Sequence, residues 1–326
     1  MVQTRDIVVV GASMGGLDAL SKLAASLPAD FPACILVVQH SAPRSPALIA
    51  EILSSRGPLP AVTAQDGMPL ERGRIFVAPP DRHLVVTPDG IGVLFGAREN
   101  RSRPAIDPLF RTAGVLYGSR VTGVILTGTL DDGASGLLAV YRCGGRTIVQ
   151  SPADAAFPEM PQNALRAVPA AMQVDLAQLG AALTTIVAEP APPSPQVPGV
   201  LRMEAELTLG ARGSDDWHQI PGSATGYTCP DCRGSLKQID EGGIIRYRCR
   251  VGHAYSYREM LREKEQSVEQ ALWVAMQTLE ERAQMLDGLA SRGEVETLEG
   301  SEFAAQSLAT RSHIGRLREL LENMAR

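Results

Sequence analysis

The sequence predicts an α/β fold with a doubly wound, mostly parallel sheet, followed by a small zinc-ribbon-like module and an α-helical hairpin. Three observations carry this expectation. From residue 6 to about 187, short β-branched runs alternate with helix-like stretches, the pattern of parallel strands covered on both faces. Three cysteines and a histidine cluster within residues 229–253. From Tyr257 to Arg326 the chain is rich in Glu, Arg, Ala and Leu, with apolar residues at three- and four-residue steps.

Taken in order, Ile7 to Val10 reads as a strand, and Gly16 to Leu27 spaces its leucines for an amphipathic helix. Cys34 to Val38 is a second strand and Ser45 to Ser54 a second helix. Arg74 to Ala78, Leu84 to Thr87 and Ile91 to Phe95 form a strand-rich insert, with Pro79-Pro80 and Asp89-Gly90 as turns. Asp107 to Tyr117 is a helix, Val121 to Leu126 a strand, Gly136 to Tyr141 a helix, Thr147 to Gln150 a strand and Leu176 to Val187 a closing helix. Glu189 to Val200 holds five prolines and no helical period, so 189–225 is expected to be a linker and connector. Residues 226–257 make the ribbon and 258–326 the helical tail, leaving 1–188 as the first domain. In the tail, Val268, Leu272, Ala275, Leu279, Ala283, Leu286 and Ala290 form one stripe, and Gly293 and Gly300 separate it from a helix over about 302–323.

The 326 residues carry a formal net charge of −5, with 44% hydrophobic, 21% charged and 4% aromatic residues. That length gives about two domains at roughly 150 residues each. The acidic balance argues against a nucleic-acid binder. No apolar run reaches the roughly 18 residues that span a bilayer, and the charged N-terminus does not read as a signal peptide. A cytoplasmic protein without membrane insertion is expected. Cys34 and Cys143 lie in apolar or Gly-flanked stretches and read as core residues.

Gly11-Ala12-Ser13-Met14-Gly15-Gly16 joins the first strand to the first helix, where unpaired backbone N–H groups and the helix dipole favour negative charge. Two readings compete. Dinucleotide binding is weakened by the missing third glycine and by Gln39-His40, rather than an acidic residue, ending the second strand. The other reading takes Ser13 as a nucleophile. Ser13, His40 and the Asp131-Asp132 pair each follow a strand, and in a doubly wound sheet those ends share one edge. A serine hydroxyl needs an imidazole to take its proton, and the imidazole needs a carboxylate to fix its tautomer. Backbone N–H groups of Met14 and Gly15 are candidate oxyanion donors. The plainer roles are a helix cap for Ser13 or either aspartate, and a surface histidine; shared location at strand ends favours the site. Arg44, Arg82 and His83 fall near the same edge, with surface charge as their plainer role.

The strings IVVVGASMGGLDAL, VVQH, VAPPDRHL, AIDPLFRTAG, ILTGTLDDGASGLLAV and GGRTIVQSPADAAFPEMPQNAL resemble, in order, the blocks of the CheB-type chemotaxis protein-glutamate methylesterase domain, over about residues 6–187. The resemblance implies a doubly wound parallel fold and a Ser-His-Asp triad that hydrolyses glutamyl methyl esters on chemoreceptors and, in many members, deamidates receptor glutamines. It matches the nucleophile to Ser13, the base to His40 and the acid to Asp132, with Asp131 as its neighbour. No cofactor is implied for catalysis. The chain departs from the family at Met14, commonly Thr, and at Gly128-Thr129-Leu130, commonly Gly-Met-Gly. The usual receiver domain is expected to be absent, because the strand carrying Ser13 starts near the first residue, leaving no phosphoacceptor domain to gate the site in cis. Two alternatives stand beside the methylesterase: an adaptor whose site those departures have weakened, and a serine esterase with another substrate.

Cys229-x2-Cys232, sixteen residues, then Cys249-x3-His253 is spaced for a tetrahedral structural zinc site. Buried thiols with a surface histidine are the alternative. About 30 residues bury little core, so metal would supply folding energy. The tail lacks a basic surplus. Its expected partners are a methylated chemoreceptor, a similar helical signalling protein, or a second copy through self-association.

Overall fold

The computed structural model describes residues 3–210, 214–220, 222–291 and 298–324. It divides into two compact units, Met1–Met260 and Leu261–Arg326.

In the first unit, β1 (Ile7–Ala12), β2 (Cys34–Gln39), β3 (Ala61–Thr63), β4 (Arg74–Val77), β7 (Val121–Ile125), β8 (Arg146–Gln150) and β9 (Met172–Val174) form one sheet. Its order is β3-β4-β2-β1-β7-β8-β9, and every pairing is parallel. The helices are α1 (Gly16–Ser26), α2 (Ile49–Arg56), α3 (Ile106–Tyr117), α4 (Ala134–Arg142), α5 (Glu159–Ala167) and α6 (Leu176–Ala188). β5 (His83–Thr87) and β6 (Gly90–Leu94) make a separate antiparallel hairpin. β1 and β2 are buried at every position. Their side chains alternate between two cores. Val8, Val10, Ile35 and Val37 pack with α1 and α6, while Ile7, Val9, Leu36 and Val38 pack with α3 and α4. The chain moves one way from β1 to β2 and the other way at β7, so the carboxyl ends of β2, β1 and β7 frame the crevice where such sheets bind ligands.

Helix α2 starts later than expected. Ser45 N–H bonds to the Ala42 carbonyl and Leu48 N–H to Pro46, so turns around the proline occupy the start of the expected span. Beyond α6, residues 189–198 are extended but docked: Ala191 N–H donates to the Gln3 carbonyl at 2.8 Å and Ser119 N–H to Ser194 Oγ at 3.0 Å. The helix α7 (Gly199–Thr208) follows and buries Leu201, Glu204 and Ala205.

The ribbon is an antiparallel sheet, β10 (Ser223–Thr228), β11 (Ser235–Asp240), β12 (Ile245–Cys249) and β13 (Ala254–Ser256), in that order. Its apolar cluster is small, comprising Cys229, Leu236, Tyr247, Cys249, Tyr255 and Met260. What ties it to the α/β body is a buried ion cluster. Glu99 binds Arg111 at 2.7 Å, Arg246 at 2.8 Å and Arg248 at 2.8 Å. Glu204 of α7 binds Arg246 at 3.3 Å and Arg248 at 3.0 Å, and Glu241 binds Arg246 at 3.0 Å. Three guanidinium groups meet three carboxylates, so the charge cancels inside the protein.

The second unit holds most of α8 (Tyr257–Ala290) and all of α9 (Leu298–Met324). Met276, Ile314 and Leu321 form its core with Leu272, Leu279 and Leu317 at the margin. The buried stripe runs through Met276 rather than Ala275, and Val268 is exposed. The Gly293 break lies outside the described residues.

Candidate active site and candidate metal centre

Strand β1 ends at Ala12, and the turn Ser13-Met14-Gly15 leads into α1. Gly15 takes a left-handed backbone, φ +74°, and occupies the helix cap position with no side-chain cap bond. Ser13 is therefore not the cap. Its Oγ stands 3.1 Å from His40 Nδ1, and the same ring places Nε2 2.7 Å from Asp132 Oδ2. The backbones meet as well: Ser13 N–H donates to the Thr127 carbonyl and His40 N–H to Ala12. Gln39 Nε2 donates to the Ser13 carbonyl at 2.8 Å and the His40 carbonyl at 3.1 Å, joining the ends of β1 and β2. Gly128 is required by close approach, because a Cβ there would lie 2.7 Å from Ser13 Cβ.

Asp132 sits at the N-terminus of α3, not as the cap of α4. Oδ2 accepts Ile106 N–H at 2.7 Å; Oδ1 accepts Asn100 Nδ2 at 2.9 Å and Gly133 N–H at 3.1 Å. Its side chain is 2% exposed and that of His40 is 19%. Burial pushes the Asp132 carboxyl up, but the hydrogen bond and charge of His40, then the Ile106 N–H and Asn100, outweigh it and hold the group below its ordinary value. Asp107 lies beside it and accepts Gly133 N–H at 3.0 Å, Gly136 N–H at 2.6 Å and Asn100 Nδ2 at 2.9 Å. Burial first, and then the charge of Asp132, pushes Asp107 up to about 7. Two adjacent carboxyls sharing donors cannot both ionise freely, and the one facing the imidazole keeps its charge.

An ionised carboxylate accepting from Nε2 fixes the proton on that nitrogen, which leaves the Nδ1 lone pair facing the serine hydroxyl. Met14 and Gly15, the sequence candidates for oxyanion donors, are exposed at the mouth of the site, and Thr127 Oγ1 steadies the turn by donating to the Met14 carbonyl at 3.1 Å. A cleft of about 110 Å³ beside His40 is lined by Ser41, Pro43, Arg98, Arg101 and Arg103 among others. Of the expected flanking groups, Arg44 is exposed and Arg82 stacks on Phe95 at 4.6 Å. His83 is buried instead: its Nε2 pairs with the Ala97 carbonyl at 2.9 Å and its Nδ1 accepts Ala105 N–H at 3.2 Å, so it braces the loop before α3.

In the ribbon, Cys229, Cys232, Cys249 and His253 bring their ligand atoms within 4.8 Å of one another. Cys232 Sγ to Cys249 Sγ is 3.6 Å, and His253 Nδ1 lies 3.5 Å from Cys249 Sγ and 3.8 Å from Cys229 Sγ. A tetrahedron with metal–sulfur bonds of about 2.3 Å has edges of about 3.8 Å, so the donor set fits such an ion. The loops supply the geometry: Cys229 N–H bonds to the Gly234 carbonyl and Cys249 N–H to His253.

Sequence reasoning missed Gln39, Asn100 and Asp107 as parts of this site. Asp107 was visible only as the start of a helix. Asn100 carried no local signal, because two of its three partner segments, at Asp132 and at Ala254–Ser256, lie far along the chain.

A serine, an imidazole and a buried carboxylate at the switch point of a parallel sheet form the side-chain set of serine hydrolases. A family model, CheB methylesterase, matches residues 8–183, over half of the sequence. The chain belongs to the CheB methylesterase family. It is 46% identical over 157 residues to protein-glutamate methylesterase/protein-glutamine glutaminase 3 of Anaeromyxobacter dehalogenans, covering 48% of this chain and 46% of that protein. It is 35% identical over 170 residues to protein-glutamate methylesterase/protein-glutamine glutaminase 2 of Methanosarcina mazei, covering 50% and 46%. The chain thus spans about half the length of these relatives. The crystal structure of the Thermotoga maritima CheB methylesterase catalytic domain superposes with a TM-score of 0.55 and 30% identity, covering 57% of this chain and all of that one. Among the described residues no helix is long and apolar enough to cross a membrane.

Proposed function

We propose that the chain is a protein-glutamate methylesterase that hydrolyses glutamyl methyl esters on chemoreceptors, with Ser13, His40 and Asp132 as its triad. The observation that carries this is one imidazole in hydrogen-bond reach of both the Ser13 hydroxyl and the buried Asp132 carboxylate. Ser13 Oγ attacks the ester carbonyl while His40 Nδ1 takes its proton, and Asp132 stabilises the imidazolium. The Met14 and Gly15 N–H groups receive the oxyanion. Methanol leaves with the proton returned by His40, and water then cleaves the acyl-enzyme by the same route. Attack on a glutamine side chain with ammonia as leaving group gives the glutaminase activity named for the relatives.

Exposed Arg98 in the cleft lining favours an acidic helical substrate over a neutral one, whereas Arg103 there is held by Asp81. Residues 1–188 serve as the catalytic domain, and the Cys/His ribbon holds a structural zinc, since four protein ligands leave no open position for substrate. The helical tail, with Trp273, Met285 and Leu308 exposed, serves for docking a helical partner or for self-association. The working place of such an enzyme is the cytoplasm, where receptor signalling helices lie. Ser13→Ala is expected to reduce methanol release from a methylated receptor to the uncatalysed rate while the thermal transition stays in place. Wild-type turnover by that variant contradicts the assignment.

A further inference from the structure

The loop between β6 and α3 passes beneath the carboxylate that holds the His40 ring. Asn100, on that loop, is 4% exposed and left-handed, φ +47°. Its Nδ2 donates to Asp132 Oδ1 and to Asp107 Oδ2, each at 2.9 Å. Its Oδ1 accepts Ser256 N–H at 2.9 Å, and its own N–H donates to the Ala254 carbonyl at 2.8 Å. Glu99, the preceding residue, forms a bridge with Ala254. The amide has one orientation that works: turned over, its oxygen would face two carboxyls and its NH2 the Ser256 N–H. Ala254 and Ser256 are the ends of β13, directly after His253 and paired with β12, which ends at Cys249. A continuous line of covalent neighbours and hydrogen bonds therefore runs from the Cys/His cluster through β13 and Asn100 to Asp132, His40 and Ser13.

We infer that the metal-holding ribbon is a positioning element of the esterase site: β13 orients Asn100, Asn100 orients Asp132, and metal loading sets the turnover of the triad. The inference rests on the esterase and metal readings given above. Its physical basis is the ribbon's small apolar cluster: the ion cluster fixes Arg246 and Arg248 of β12, and bound metal fixes the Cys249–His253 turn that places β13. When that turn loosens, β13 shifts while β12 stays tied by its arginines, and Asn100 loses Ser256 N–H, which fixes its side-chain amide, and the Ala254 carbonyl, which holds its main-chain N–H. Asp132 then keeps Ile106 N–H but loses the side-chain donor on Oδ1. The result is a looser carboxylate and a misaligned imidazole, not an absent one. Asn100 touches no reacting atom and acts only through Asp132.

The test uses the full chain loaded with zinc and a receptor peptide carrying a glutamyl methyl ester. Asn100→Gly is the informative variant, since glycine accepts the left-handed backbone and keeps the N–H to Ala254. The expected result is that Asn100→Gly lowers kcat about tenfold with KM within about twofold, the scale of one lost hydrogen bond to a charged group. Stripping zinc from the wild type with a chelator, checked by metal analysis, lowers kcat by a similar factor, and zinc restores it. In Asn100→Gly, stripping adds less than about a twofold loss, because both changes remove the same contact. The inference is overturned if either single change leaves kcat intact, if the two losses multiply, if KM moves instead, or if the chain binds no metal. A stripped wild type that loses the thermal transition of the α/β body also overturns the inference, because metal would then hold the whole fold rather than one contact on Asp132. Zinc-loaded wild type that neither releases methanol nor takes a fluorophosphonate on Ser13 overturns the esterase reading itself, a distinct result.

Discussion

At the residue scale, Asp107 and Asp132 show how one pocket gives two carboxyls different jobs. Asp132 faces the imidazole and a helix N-terminus, whereas Asp107 faces peptide N–H groups of α4 and the charge of Asp132. Asp107 keeps its proton in the folded protein up to about 7, while the unfolded chain releases it near 3.8. Across that window the folded state binds the extra proton, so this group's contribution to stability falls as pH rises. Asp107→Asn cannot titrate. The unfolding free energy of the variant minus that of the wild type is therefore expected to increase from pH about 4 to about 7, read from urea midpoints along the series. A difference that stays flat with pH contradicts this account of the pair. Leu130 marks the other cost at this scale: it holds φ +70°, a conformation that strains a branched side chain.

At the element scale, the buried ion cluster decides whether ribbon, α7 and the α/β body stay together. Arg246 is 1% exposed and binds Glu99, Glu204 and Glu241. Arg246→Ala leaves those carboxylates under-compensated in the interior, and it is expected to cost about 3–5 kcal/mol in equilibrium urea unfolding. A loss below about 1 kcal/mol would show that the cluster is solvated in solution. This cluster also marks where sequence stops being informative. The parallel strands were legible because β-branched runs such as Ile7–Val10 and Cys34–Val38 are buried on both faces and so are continuously apolar. β12 alternates Arg246 and Arg248 with Tyr247 and Cys249, which reads locally as a solvent face. The carboxylates that bury those arginines lie at Glu99, Glu204 and Glu241, and no local pattern announces them. β9, with three residues, is too short to show a period, and α7 was masked by the proline-rich run before it and by Glu204, a charged residue at one of its buried positions.

At the scale of the molecule, three side chains separated by up to 119 positions converge because β1, β2 and β7 are adjacent parallel strands whose carboxyl ends share one edge. Strand order is a property of the whole sheet. The sequence carried Ser13, His40 and Asp132 as strand-end residues, and their distances follow from the pairing of β1 with β2 and β7. The second unit has its own core of Met276, Ile314 and Leu321, built from the tail stripe shifted onto Met276. The claim on which the enzyme assignment depends is that Asp132 and His40 activate the Ser13 hydroxyl. It is tested most directly by the rate at which a fluorophosphonate modifies Ser13, located by peptide mass, in wild type, His40→Ala and Asp132→Asn. The account predicts stoichiometric labelling of the wild type at Ser13 and rates lower by about three to four orders of magnitude in both variants. Equal labelling in all three proteins, or modification at another residue, would contradict it.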